Sequence, residues 1–195
     1  ICPRLSIWDY VTNYHHFLAP FPNLDAIVPN VKFFADNGAL GVFEQAAHTG
    51  RGSELVGLRS WVLAKALWNP NLDGRKLIEE FVSGYYGPAA GHILAFLDAI
   101  HEPARTRNDF VMGIYSELNS PHLDPPVLAK AEVTLQKAER AAAGNPDIER
   151  RVRHAHMPVW YVLAKRGPAS PLWQEVSRAV VREGGTLEIG RIASG

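Results

Sequence analysis

Cysteine is almost missing from this chain: Cys2 is the single one, so an internal disulfide framework is excluded and the residue reads as a small buried side chain. A charge surplus is missing too. Twenty basic residues balance twenty acidic ones, and without a global positive field no nucleic-acid partner is expected. No apolar run approaches the roughly 18 residues of a spanning helix, so no membrane partner is expected either. Several chemical signatures are also absent. There is no Gly-x-Ser-x-Gly elbow for a nucleophilic serine, and Gly50-Arg51-Gly52 lacks the Gly-Lys-Ser/Thr of a phosphate loop. Among the eight histidines, His15 and His16 are merely adjacent, while His154 and His156, two apart on an expected helix, face different ways. No His-x-x-x-His pair accompanies a carboxylate, so neither a metal centre nor a cofactor is expected. The chain opens on Ile1-Cys2-Pro3-Arg4 without the charge pattern of a signal peptide, reads as an excised segment, and leaves localisation unknown.

What is present suits a globular protein of one or two domains. Of 195 residues, 47% are hydrophobic, enough to bury a substantial core. Residues 5–8 look like a short strand running into Asp9, because aromatic and β-branched residues favour extended backbone. After a turn-rich passage at residues 19–23, apolar residues Leu24, Ile27, Val28, Val31 and Phe34 recur at helical spacing, with Pro29 dividing that helix or starting it. Residues 38–45 form a short apolar run bounded by glycine that ends in Glu44 and Gln45, the pattern of a buried parallel strand. Together these make a βαβ unit. Beyond it the period is 3.6 throughout. Ser53 suits the cap of a helix that Asn69-Pro70 stops, and helices are expected over 76–83, 89–102, 126–143, 147–165 and 172–183. Residues 104–124 read as a long connection with one short helical piece, and 186–192 as a terminal strand.

The two strands end alike, in Asp9 and Glu44. Carboxylates at neighbouring strand ends point into one crevice, as acid–base hydrolysis requires, although a strand-end carboxylate also commonly caps a helix or pairs with a base. Trp8, Tyr10 and Tyr14 offer flat faces, and Asn13 and Gln45 offer amides, the combination that suits sugar rings; the aromatic side chains equally suit packing between sheet and helices. His48 lies on a flexible loop just after Glu44. Arg150, Arg151, Arg153 and His154 form a basic run of the kind that is usually a solvated face.

The motifs Ile7-Trp8-Asp9-Tyr10, Pro22-Asn23-Leu24, residues 33–38, Gly41-Val42-Phe43-Glu44-Gln45, Leu58-Arg59, Leu67-Trp68-Asn69-Pro70, Glu80-Phe81 and Tyr85-Tyr86-Gly87 together resemble the C-terminal part of the family called domain of unknown function 4838. That family is placed with glycoside-hydrolase-like TIM-barrel proteins near the α-glucuronidases. The resemblance implies an α/β then all-α chain, predominantly helical: the last strands and helices of a (β/α)8-type barrel over 1–69, then a helical domain over 70–195. It implies a glycoside hydrolase fragment with Glu44 and Asp9 catalytic and Trp8, Tyr10, Asn13, Tyr14, Gln45 and His48 binding substrate. A carbohydrate is the implied partner, and an extracellular or periplasmic setting goes with it. Because a whole barrel takes about 200 to 250 residues, the remaining strands would lie upstream, and the cut edge implies self-association or pairing with that part. The alternative is a non-catalytic helical module that binds carbohydrate or protein.

Overall fold

A computed structural model describes residues 4–47, 53–167 and 169–182. Cys2, His48 and the strand expected over 186–192 lie outside them. The chain begins with β1 (Leu5–Tyr10), α1 (Leu24–Asp36) and β2 (Ala39–Gln45). The helices α2 (Val56–Trp68), α3 (Gly74–Tyr86), α4 (Ala90–Thr106), α5 (Pro125–Ala142), α6 (Pro146–Arg166) and α7 (Pro171–Arg182) follow.

The strands β1 and β2 pair in parallel as a two-stranded sheet, with Ile7 opposite Val42, Trp8 opposite Phe43, Asp9 opposite Glu44 and Tyr10 opposite Gln45. The βαβ unit is therefore present, but the barrel expectation is overturned. Among the described residues these two strands make up the whole sheet, and everything after β2 is helix or connection. The physical reason lies in the packing: β1 and β2 pair only with each other, α1 covers one face of the pair, and the helices after β2 bury their apolar stripes mainly against one another, so the core is a helical one with a two-stranded sheet at its side.

Local sequence explains most element ends. Asp73 caps α3 by accepting from the Lys76 amide, and Asn145 caps α6 by accepting from the Ile148 amide, with Pro146 at the first helical position. Gly38, at φ 78°, makes the left-handed turn from α1 into β2 that a β-carbon would disfavour. Two expectations shift. Pro29 neither divides nor starts α1, which runs unbroken from Leu24; and α2 begins at Val56, after Leu55 in a left-handed conformation, with Ser53 buried before it.

One contiguous core runs from Val11 to Val176 and crosses the expected boundary at residues 69 and 70. Its densest part surrounds α5, which packs on α4, α6 and α7 and buries Leu128, Ala131, Leu135 and Ala138 completely. The segment 107–124 is the expected long connection, with one short 3-10 turn at Pro121–Leu123. It returns across the sheet end, where Tyr14 donates its backbone N–H to the Ile114 carbonyl at 2.7 Å.

Three polar side chains tie these layers together. Arg59, on α2, is buried against Glu54, with Nε 2.6 Å and Nη2 2.5 Å from Glu54 Oε2, and it also donates to Asn23 Oδ1 and the Phe21 carbonyl. His101, on α4, accepts from the Leu24 amide at 3.3 Å and donates to the Leu97 carbonyl at 2.8 Å, so a neutral ring caps the start of α1. Burial holds its pKa down to about 4. His156 lies fully buried between Glu132 and Glu139, each 2.7 Å from one ring nitrogen, and stacks on Trp160. Burial opposes its charge, but the two carboxylates outweigh burial and hold its pKa above the usual value.

Candidate functional site

Strand pleating decides which side chains meet. Successive residues of a strand point to opposite faces, so Ile7, Asp9, Val42 and Glu44 share the face toward α1, while Trp8, Tyr10, Phe43 and Gln45 share the other. A cavity of about 150 Å³ lies on the α1 side, lined by Asp9, Tyr10, Val11, Phe21 and Glu44 with Ala26, Ile27 and Asn30 of α1 and Met112 and Ile114 of the long connection. It thus sits where the ends of both strands, the first helix and the returning connection converge.

Glu44 has the unusual environment. Both of its carboxyl oxygens are closed off from solvent, and neither has a hydrogen-bond partner among the described residues. Burial, and then the negative charge of Asp9 beside it, push its pKa up to about 7. Asp9 differs in being partly satisfied, since its Oδ1 accepts from the Tyr10 amide at 2.8 Å. Adjacent strands run about 4.8 Å apart, so register alone sets these carboxylates side by side. At neutral pH the pair holds a proton on Glu44 in a substantial fraction of molecules, next to a negative neighbour. Such a pair is able to give and take a proton.

The aromatic residues form a separate surface. Trp8 is 63% and Phe43 57% exposed, with ring centroids 5.1 Å apart, and Trp8 Nε1 donates to Gln45 Oε1 at 2.7 Å. Tyr10 stacks near Trp8 and meets Tyr14 edge-on, while the Tyr14 hydroxyl donates to the Gln45 carbonyl at 2.9 Å. The sequence reading put Trp8, Tyr10, Tyr14 and Gln45 around the carboxylates. The pleat separates them: of the four, Tyr10 alone reaches the wall of the carboxylate cavity.

Asn13 is internal. It is 4% exposed, its Nδ2 donates to the Ser116 carbonyl at 2.7 Å, and its Oδ1 accepts from the backbone N–H groups of His15 and His16. Its amide therefore braces the loop after β1 against the long connection. Asn30, together with Phe21 and Asn23 of the turn before α1, none of them read from the sequence as site residues, belongs to the cavity instead. An amide one helical turn after Ala26, on the side of α1 that meets the strand ends, was the available signal for Asn30.

A second hollow, of about 470 Å³, lies among α2, α3 and α6, lined by Leu58, Phe81, Tyr85, Arg151, His154 and Met157 among others. It is larger but has no carboxylate pair. The basic run on α6 is partly spent there, where Arg151 lies 4.3 Å over the Tyr85 ring and donates to the Tyr85 carbonyl; Arg150, outside the hollow, pairs with Asp147.

The family described as Domain of unknown function (DUF4838) matches residues 1–98, half of the chain. The chain belongs to that family. The matched part of this DUF4838 chain contains β1, α1 and β2 and with them Asp9, Glu44 and Asn30, whereas α5, α6 and α7 lie outside the match. No curated protein and no solved structure matches the chain. No helix among the described residues is long and apolar enough to cross a membrane.

Proposed function

We propose that the cavity between the sheet and α1 is an acid–base site acting on carbohydrate, and that its reaction is hydrolysis of a glycosidic bond. The observation that carries this reading is Glu44, an enclosed carboxyl without a hydrogen-bond donor among the described residues, whose pKa is raised to about 7 beside a second carboxylate. Glycoside hydrolysis asks for that division of labour, with one carboxyl kept protonated to protonate the leaving oxygen and one kept negative to oppose the positive charge of the transition state. Glu44 takes the first role and Asp9 the second. Asn30 on the cavity wall supplies an amide for a sugar hydroxyl. The substrate class itself rests on the resemblance of the motifs around Asp9 and Glu44 to glycoside-hydrolase-like proteins. Glu44→Gln keeps the shape but removes the proton donor. It is expected to lower turnover of aryl glycosides or oligosaccharides by at least about 100-fold, with Asp9→Asn comparable. Near-normal turnover in Glu44→Gln sinks the assignment.

A second reading is favoured by the exposed Trp8, Tyr10 and Phe43 surface: a module that binds carbohydrate on aromatic faces without cleaving it. Calorimetric titration of oligosaccharides coupled to product analysis separates the two. Binding that Trp8→Ala abolishes, with no product formed and no effect of Glu44→Gln, favours the module.

A further inference from the structure

We infer that His15, His16 and Glu117 form a binding site for a divalent cation of the zinc type, separate from the carboxylate cavity and independent of its function. The three side chains come from two segments about 100 positions apart, and one ligand atom of each lies within 4.8 Å of the others. His15 Nδ1 is 3.2 Å from Glu117 Oε1, and His16 Nε2 is 3.6 Å from Glu117 Oε2. A zinc ion bound at 2.0–2.1 Å with tetrahedral angles separates its donors by about 3.3 Å, so three donors within 4.8 Å of one another need only small rotations of the exposed His15 and Glu117 side chains to close on one ion. Two imidazoles and one carboxylate form a known zinc donor set that leaves a fourth position open.

The supports are built in. Asn13, itself buried, accepts from the backbone N–H groups of both His15 and His16 and donates to the Ser116 carbonyl, so one amide fixes the backbone on both sides of the site. The clamp from the Tyr14 amide to the Ile114 carbonyl reinforces that link. The Nδ1 of His16 is engaged by the Tyr161 hydroxyl at 2.8 Å, which leaves Nε2 as the ligand nitrogen and orients the ring, the usual outer arrangement of a metal-binding histidine. His15 and Glu117 are more than half exposed, so an ion reaches the site from solvent without opening the fold. A surface His–Glu ion pair is the competing account. It accounts for the two contacts but not for the outer support, in which Tyr161 engages Nδ1 of His16 and Asn13 ties both histidine backbones to the Ser116 carbonyl beside Glu117.

The test uses the chain without a histidine tag. Zinc is titrated against it in competition with a chromophoric chelator, and cobalt(II) is added in parallel to read coordination from its visible absorption. One zinc per chain is expected with a Kd below about 10 µM, together with cobalt bands of a four- or five-coordinate ion. The double variant His15→Asn/Glu117→Gln alters exposed groups only and is expected to weaken zinc at least about 30-fold, with an unchanged apo melting curve. His154→Asn, a change to a histidine elsewhere on the surface, leaves the affinity unaltered. Zinc affinity in the double variant within about threefold of the original, or no saturable binding by the original chain, overturns the proposal.

Discussion

Two regions of this molecule enclose carboxylates, and they treat them in opposite ways. Around the helices, Glu54 receives Arg59, and Glu132 receives His156 at 2.7 Å and the Gln136 amide at 2.8 Å. At the sheet end, Glu44 receives nothing among the described residues. Enclosing a charge without a donor is costly, so a carboxyl kept that way shifts its pKa instead. The helical carboxylates organise the fold, since each is the fixed point of a network that joins two elements. Among the described residues Glu44 joins nothing, and the difference marks the sheet end as the place where the chain carries instability instead of removing it.

The contrast extends to packing. Helix α5 is covered on several sides and contributes to a core with almost no exposure. The sheet is covered by α1 on one face, and its other face leaves Trp8 and Phe43 largely in solvent.

The sharpest way to break the comparison is Arg59→Ala. It strands the buried Glu54 carboxylate and frees Asn23 and the Phe21 carbonyl, so it is expected to destabilise the fold by about 3–5 kcal/mol in a denaturant melt. A loss below about 1 kcal/mol would place Glu54 with Glu44 as an unsupported charge instead.

Glu44→Gln is expected to move stability the other way. The folded-state pKa of Glu44 is raised to about 7 from 4.5, so its protonated form is favoured in the fold. The penalty is absent below the unfolded pKa and grows as pH rises from 4.5 through 7. At pH 8 the variant is therefore more stable than the original by about 1 kcal/mol, well below the full shift, because although its two oxygens are closed off the residue as a whole is only half-buried and solvent around the rest of it screens the charge. At pH 4 the difference vanishes. Paired urea melts at the two pH values check this, and equal stabilities at pH 8 contradict an unsupported Glu44.

The smallest effect belongs to Trp8→Ala. Exposed on the open face, with one hydrogen bond to Gln45, Trp8 is expected to change stability by less than about 1 kcal/mol. A larger loss in thermal or urea melts would mean that the open face carries part of the core.

Much of the local structure was legible. The βαβ unit, the run of helices after it and the long connection all follow from period, glycine and proline, because backbone preference and side-chain spacing act over a few residues. The pairing of Asp9 with Glu44 was legible too, since both strands end in a carboxylate. The pleat turns Trp8 and Gln45 away from that pair, while Tyr10, on their face of the sheet, still reaches the cavity wall. Once β1 extends through Tyr10 and β2 through Gln45, a period of two sends neighbours to opposite faces. The barrel was misjudged for another reason: similarity of short motifs says which segments pair locally, whereas the number of strands in a sheet is a property of everything packed around them.

The sequence by itself determined the order and type of the elements, the neutrality of the chain and the carboxylate at each strand end. Tertiary structure alone decided that Glu54 would find Arg59 and that Glu44 would find no donor among the described residues, that His101 would cap a helix 77 positions away, and that His15 and His16 would meet Glu117. The physical reason is range. Backbone propensity is settled within a turn or a strand, but the partner of a buried charge is chosen when distant segments close around it, and only the closed packing determines which groups lose their water and which donors arrive in its place.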